Sequence, residues 1–273
     1  MSRFLLFVGL LLTVVSVFAE PVPTWVLRLP ESTPTVFIAE ISTSAFHRFD
    51  RAGDGVVKVR QDYMSIGKGG AGKEIDGDQR TPLGIYFVTE QLDTTRMHDK
   101  YGVTAFPLDY PNAWDRRRGR TGDGIWVHGV DPRGGTRPAL DTDGCIALPN
   151  ERLLALQPSF VANVTPVLIA TELSWDEPEA VAVLRIALEQ AVAHWAASLE
   201  QGDMYAWLDL YDDSFEHWGM NKAEWSAFSL ETVGQRPLEA VVVSDLLLLA
   251  DPVEEGLYLS RFRLEISEAA SRN

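Results

Sequence analysis

Short runs of β-branched and aromatic residues, separated by glycine, proline and aspartate, follow one another from Trp25 to Ala170. Such runs are typical of strands that pair into sheets and turn at the separating residues. The one clear helical segment, Asn150–Leu156, has Asn150 placed as its N-cap and Glu151 in its first turn. We therefore predict a mainly β domain here. Its predicted strands are Thr35–Ile41, Val56–Arg60, Tyr63–Ile66, Gly84–Thr89, Gly124–His128 and Pro166–Thr171.

From Glu177 onward the apolar positions recur at helical spacing, and the pattern later returns to that of strands. Pro178 suits the first turn of the long amphipathic helix that this spacing predicts. Helices that precede antiparallel strands are typical of an α+β domain. The predicted helices are Glu177–Gln201, Met204–Tyr211 and one from Asn221 towards Phe228, and the predicted strands are Leu238–Ala250 and Gly256–Ile266.

The formal charge changes where the pattern changes. The 273-residue chain has a net charge of −15, of which residues 20–172 carry −3 and residues 173–273 carry −13. We therefore predict one domain at 20–172 and a second at 173–273, since the chain is also longer than a typical domain of about 100–150 residues. An acidic balance of this size argues against a nucleic-acid-binding protein.

Residues 1–19 have the pattern of a secretory signal peptide. Arg3 gives a basic start, Phe4–Val17 is an apolar run, and small residues around Ala19 suit a cleavage site. The apolar run is too short to span a bilayer comfortably. We therefore expect an exported protein of the periplasm or cell envelope, with no integral membrane span.

Cys145 is the only cysteine, which excludes an internal disulfide and any site built from several cysteines. The five histidines are scattered and form no metal-binding motif, so we predict no metal site. A free thiol is unusual in an exported protein, and Cys145 therefore needs a chemical explanation.

His128, at the end of a predicted strand, is a candidate base for the Cys145 thiol. An imidazole that takes the thiol proton lowers the pKa of the cysteine, so we expect reactivity near neutral pH. The backbone N–H groups of Gly144 and Cys145 could bind an oxyanion. Lone histidines and cysteines are also common as buried structural residues, and the pair by itself leaves that interpretation open.

Two ordered motifs carry a resemblance to a known family. The first is His128-Gly129, a loop, and then Thr142-Asp143-Gly144-Cys145, and the second is the upstream run Arg80-Thr81-Pro82-Leu83-Gly84-Ile85-Tyr86. They resemble the L,D-transpeptidase catalytic domain (YkuD) family, in which His-Gly precedes Ser/Thr-His-Gly-Cys and a Lys/Arg-Thr-Pro-x-Gly-x-Tyr element lies upstream. The resemblance covers about residues 36–170 and implies a YkuD-like β-sandwich.

The resemblance implies a role for each matched residue. Cys145 becomes the nucleophile that attacks an L,D-peptide bond of a peptidoglycan stem tetrapeptide, and His128 becomes its base. The carbonyl of Gly129 orients the imidazole. No metal or organic cofactor is implied.

Three further residues are candidates for binding the substrate. Arg137 lies on the loop between the predicted base and nucleophile, where a guanidinium could bind stem-peptide carboxylates. Arg80 and Thr142 belong to the matched motifs.

Two positions depart from the family pattern. Asp143 replaces the usual histidine, and Ala147 replaces the usual arginine two residues after the cysteine. Because an anion beside a thiolate raises the thiol pKa, we expect Asp143 to point away or to pair with an arginine. The departures leave a catalytically inactive cell-wall-binding module as the alternative.

The run Gly144-Cys145-Ile146-Ala147-Leu148-x-Asn150 is similar to a branch of the family that contains cell-shape L,D-carboxypeptidases. That branch attaches an NTF2-like domain after the catalytic one, which implies an NTF2-like domain at 173–273. Both outcomes, L,D-carboxypeptidase and L,D-transpeptidase, stay open. We expect most aromatic residues of the second domain, such as Trp207 and Trp225, to lie in its core, and some of them to line a pocket for a small ligand or to contact a protein partner.

Overall fold

The computed structural model describes residues 20–135, 137–235 and 238–268, so the predicted signal peptide at 1–19 lies outside the described residues. The part that precedes residue 172 is rich in strands. Its elements are β1 (Val22–Pro23), β2 (Val26–Arg28), β3 (Thr35–Glu40), β4 (Ala45–Ala52), β5 (Gly55–Tyr63), β6 (Ile66–Gly67), β7 (Gly84–Phe87), β8 (Ala105–Pro107), α1 (Ala113–Arg117), β9 (Trp126–His128), β10 (Leu140–Thr142), β11 (Ile146–Ala147), α2 (Asn150–Leu156) and β12 (Pro166–Ala170).

The later part contains the three predicted helices and two long strands, which confirms the predicted order of elements there. The helices end close to their predicted positions, except that the third continues to Thr232. Its elements are β13 (Trp175–Asp176), α3 (Pro178–Glu200), α4 (Met204–Asp209), β14 (Glu216–His217), β15 (Met220–Asn221), α5 (Lys222–Thr232), β16 (Leu238–Ala250) and β17 (Tyr258–Glu268).

A five-stranded sheet, ordered β5-β4-β3-β12-β7, forms the centre of the molecule. β3 and β12 are parallel, and the other neighbours are antiparallel. The prediction of a separate strand at Tyr63–Ile66 is wrong, because β5 extends through Tyr63 and the chain then turns into the short β6. The sequence pattern also missed β4, whose buried His47 is compensated by a 3.0 Å contact with Glu40.

The central sheet is buried on both faces. One face packs its Phe37 and Phe46 against the layer that contains Val127, Ile146 and α2. The other face packs against the later part of the chain, in a cluster that includes Trp25, Leu27, Val36, Ile38, Phe49, Leu168, Leu247, Leu248 and Leu249. Because β3 alternates its side chains between these two cores, every one of its residues is buried.

The two parts of the chain also share a sheet. β2 pairs with β16, and β16 pairs with β17, all antiparallel. Among the described residues, one helix, α3, has the length and the mean hydropathy, 1.2, that a membrane-spanning helix needs, and one such helix is weak evidence of a membrane span. Its Val181 packs into the core that contains Leu249, and its far end joins a smaller core with Trp207.

A second, small layer carries the candidate chemistry. It consists of the three-stranded sheet β11-β9-β8 and the parallel pair β10-β6. These strands have only two or three residues each, so their hydrophobic pattern was too short to predict them, apart from β9.

Because the cores are continuous between the two parts, we expect Leu249→Ala to destabilise the whole chain. Leu249 is fully buried, and removal of such a side chain costs about 2–5 kcal/mol. Urea unfolding followed by both fluorescence and circular dichroism should show one transition at a lower midpoint. Val242→Ala, at a half-exposed position of the same strand, is the control and should shift the midpoint little. Two separate transitions, with only one shifted, would contradict the shared core.

Candidate active site

The pairing of β9 with β11 determines which side chains share a face. The strands are parallel, with Ile146 opposite Val127 and Ala147 opposite His128. Side chains alternate along a strand, so Cys145, two residues before Ala147, lies on the same face as His128 and diagonal to it. The register therefore places the two predicted reactive residues on one face of the small layer.

The His128 ring is buried, and its Nδ1 lies 2.6 Å from the carbonyl oxygen of Gly129. A carbonyl oxygen can only accept, so Nδ1 carries the hydrogen and the neutral ring keeps Nε2 free as an acceptor. Burial lowers the pKa of His128 to about 4, and the charges of Lys100 and Arg137 act in the same direction, against the Gly129 hydrogen bond. The imidazole is thus a neutral base at pH 7.

The Cys145 thiol is also buried, and its sulfur donates to the carbonyl oxygen of Gly124 at 3.3 Å. Burial raises the pKa of Cys145 to about 11, although the backbone of Trp126 and the charge of Lys100 act to lower it. Among the described residues the thiol has no hydrogen bond to His128. The expected lowering of the thiol pKa is therefore wrong for this structure, because burial outweighs the nearby positive charge.

The turn before Cys145 requires a glycine. Gly144 has φ +126°, and a Cβ there would lie 2.8 Å from the carbonyl oxygen of Arg80. Thr142 closes the turn, since its Oγ1 donates to the Cys145 carbonyl at 2.7 Å and accepts from the Gly144 N–H at 3.2 Å. Of the two predicted oxyanion donors, the Gly144 N–H is thus occupied. The Cys145 N–H has no acceptor among the described residues, so it is the one available.

Thr81 supports the same turn, a role that sequence reasoning missed although the residue stands in a matched motif. It is fully buried, donates to the carbonyl oxygen of Gly144 at 2.9 Å and accepts from the N–H of Gly67 at 3.0 Å. One hydroxyl therefore ties the cysteine turn to the neighbouring β6.

Asn150 holds the segment that follows His128. It begins α2, but Pro149 is the N-cap residue, so the prediction of Asn150 as N-cap is wrong. Its amide instead bonds both the N–H and the carbonyl of Val130, at 2.9 and 2.8 Å. A Cβ on Gly129 would lie 2.2 Å from the Asn150 Oδ1, so this close approach requires glycine at 129.

The Asp143 carboxylate lies in a cluster of donors. Its carboxylate accepts from Lys68 and Lys100, both at 3.2 Å, and from Gln79 at 3.3 Å. The hydrogen bonds from the two lysines lower the pKa of Asp143. The expected partner was an arginine, and the structure has two lysines, neither of which the sequence motifs had indicated.

The two predicted substrate-binding arginines differ in their surroundings. The Arg80 side chain is exposed and has no ion pair among the described residues, while its backbone packs on Gly144. Arg137 is half-buried and pairs with Asp141, and its charge contributes to the low pKa of His128. Thr142 is buried and holds the turn.

A cavity of about 980 Å³ lies elsewhere, between β7, α1 and the connection of β16 to β17. Its lining includes Trp114, Arg117, Trp218 and Tyr258, but neither Cys145 nor His128. Within the described residues, no three His, Cys, Asp or Glu side chains are grouped as ligands for a metal ion.

Comparisons with known proteins give both the fold and the family. Bd1075 from Bdellovibrio bacteriovorus is 24% identical in sequence and superposes with a TM-score of 0.78. The superposition covers 91% of this chain and 88% of the Bd1075 chain. The helical cell shape determining protein Pgp2 from Campylobacter jejuni is 19% identical, covers 90% and 91%, and has a TM-score of 0.68. At these identities the likeness is one of fold. No curated protein matches the sequence.

Residues 37–169 match the family model of the L,D-transpeptidase catalytic domain, YkuD. This segment contains both motifs, the central sheet and the layer that brings Cys145 and His128 together. Residues 37–169 therefore form a member of the L,D-transpeptidase catalytic domain (YkuD) family.

Proposed function

We propose that the protein is an exported cysteine enzyme that cleaves L,D-peptide bonds of peptidoglycan stem tetrapeptides through a thioester on Cys145. The observation that carries this proposal is the placement of Cys145 and His128 on one sheet face, with the free Nε2 fixed by Gly129. The family match supports peptidoglycan as the substrate. The apolar segment at 1–19 supports export, which would place the enzyme in the periplasm or cell envelope.

The two pKa values favour a general-base mechanism that starts from neutral groups. As the Cys145 sulfur attacks the carbonyl carbon, Nε2 of His128 takes the thiol proton. The Cys145 N–H donates to the oxygen that becomes negative. When the C–N bond breaks, the imidazolium returns the proton to the departing amine, and a base with a pKa of about 4 releases it readily.

The acceptor of the thioester decides the product. If water attacks, with His128 again as base, the carboxylate product is a tripeptide and the thiol is restored. If an amine of a second stem attacks, the product is a cross-link. The similarity of the Gly144–Asn150 run to the carboxypeptidase branch favours water, and thus an L,D-carboxypeptidase.

The alternative, an inactive wall-binding module, rested on Asp143 and Ala147. The charge of Asp143 acts to raise the pKa of Cys145, but the charge of its partner Lys100 lowers that pKa by more, so the cluster as a whole does not oppose a nucleophilic Cys145. The alternative is accordingly the weaker proposal, and it predicts binding without turnover.

For residues 173–273 we propose an NTF2-like accessory domain that binds a small ligand or a protein partner. Three helices before two long antiparallel strands support the fold. The rings of Trp207, Tyr211 and Trp225 contact one another in a core. The ligand role is supported instead by the cavity that Trp218 and Tyr258 help to line. The net charge of −13 disfavours attraction to bulk anionic peptidoglycan.

We expect Cys145→Ala and Cys145→Ser to abolish turnover, because neither can form the thioester. His128→Ala should lower turnover by several orders of magnitude through loss of the base. The measurement is mass analysis of purified disaccharide-tetrapeptide after incubation, with His194→Ala, an exposed histidine of α3, as the control. Tripeptide identifies a carboxypeptidase and dimer a transpeptidase. An unchanged substrate with the wild-type protein would support the inactive module instead.

Alkylation of the single thiol should be slow at pH 7 and rise about tenfold per pH unit towards pH 11, because the thiolate is the reacting form. Turnover should instead be level from roughly pH 6 to pH 9, since His128 is neutral above its low pKa. Iodoacetamide incorporation is the measurement. Fast alkylation at pH 7 that is lost in His128→Ala would show an ion pair and contradict the neutral mechanism.

A further inference from the structure

Asp143, two residues before the candidate nucleophile, is contacted by two lysines from separate segments of the chain. Lys68, at the end of β6, lies 3.2 Å from Oδ1, and Lys100, from the 3₁₀ turn Asp99–Tyr101, lies 3.2 Å from Oδ2. Each ammonium therefore has its own carboxylate oxygen. The side chains of the two lysines and Asp143 are about half exposed, so the cluster opens to solvent.

The cluster has one positive charge in excess. Each ammonium has three N–H donors and gives one to Asp143, which leaves donors for another group. The nearby acidic residues do not cancel the excess, since Asp99 pairs with Arg133 and Asp141 pairs with Arg137. In a chain with a net charge of −15, this is a local site for an anion.

The cluster also lies beside the reactive pair. The Lys100 ammonium is 5.1 Å from the centre of the Tyr101 ring, and that ring lies edge-on to the His128 imidazole, with centroids 5.3 Å apart. The charge of Lys100 acts on both His128 and Cys145. An anion bound by the lysines would therefore lie next to the Tyr101 ring, which contacts His128.

The substrate of the proposed function has such an anion. In a stem tetrapeptide, the residue beyond the scissile L,D bond is the last one. Only its N and Cα atoms separate the attacked carbonyl carbon from the carbon of the free α-carboxylate, so the two carbons are about 3–4 Å apart. Carboxylates form strong charge-assisted hydrogen bonds with ammonium groups.

We infer that Lys68 and Lys100, held apart by Asp143, form a subsite that binds the free α-carboxylate of the terminal D-residue. With this carboxylate bound, two cations face two anions and the cluster is neutral. The subsite would thus select peptides that end one residue beyond the scissile bond. The inference rests on the proposed function, because it assigns one group of the proposed substrate to its binding residues.

The test compares disaccharide-tetrapeptide that ends in a carboxylate with the same compound ending in an amide, using the full chain. Binding is measured by calorimetry in the Cys145→Ala background, and kcat and KM are measured with the intact thiol. We expect the carboxylate to bind about tenfold or more tightly than the amide. Lys68→Met and Lys100→Met should each reduce this preference, through KM for the carboxylate, and leave amide binding unchanged.

Two variants control for charge and for general effects of substitution. Lys100→Arg keeps the cation and should keep much of the preference. Lys58→Met, on the exposed β5, should keep all of it. The subsite would be overturned if the protein with both lysines intact bound the acid and the amide equally. It would also be overturned if the Met variants lost the same factor of affinity for both ligands. A preference for the acid without turnover would uphold the subsite and overturn the proposed enzymatic function.

Discussion

The parallel register between β9 and β11 is the constraint on which the candidate chemistry depends. A shift of one residue would turn the Cys145 side chain to the opposite face from His128. Strands of three and two residues cannot fix a register by themselves, because they form too few hydrogen bonds. The register is held from outside, by the hydroxyls of Thr81 and Thr142 and by the Asn150 amide, all of which bond to backbone beside the reactive residues.

Local sequence predicted the elements that are long enough to show a period. Asn150–Leu156 and Leu238–Ala250 have their predicted bounds, and the central β3 and β12 end one residue early. The two-residue strands are too short to show a period. The charged residues of β4 concealed a strand in which Arg48 pairs with Asp50 and the Nε2 of His47 contacts Glu40. Local sequence also gave no sign that β2 would join the sheet of β16, since that pairing spans most of the chain.

The candidate site was predictable only as far as its residues stand in motifs. His128, Gly129 and Cys145 are motif residues, whereas Lys68 and Lys100 lie far from Asp143 in sequence and meet it only through the fold. The thiol pKa was predicted with the wrong sign, because motif chemistry gives the neighbouring charges but not the extent of burial. The sequence indicated Asn150 as a helix N-cap, whereas its side chain bonds the backbone of Val130. Asparagine suits both roles, so its residue type did not distinguish them.

The buried, protonated state of Cys145 has a consequence for the survival of the protein. Peroxides and disulfides attack thiolates, so a neutral thiol shielded from solvent is oxidised slowly. The proposed export would carry this lone cysteine into an oxidising compartment, where it has no second thiol to protect it. Under the proposed mechanism, a nucleophile that loses its proton only during attack on the peptide stays chemically intact between encounters.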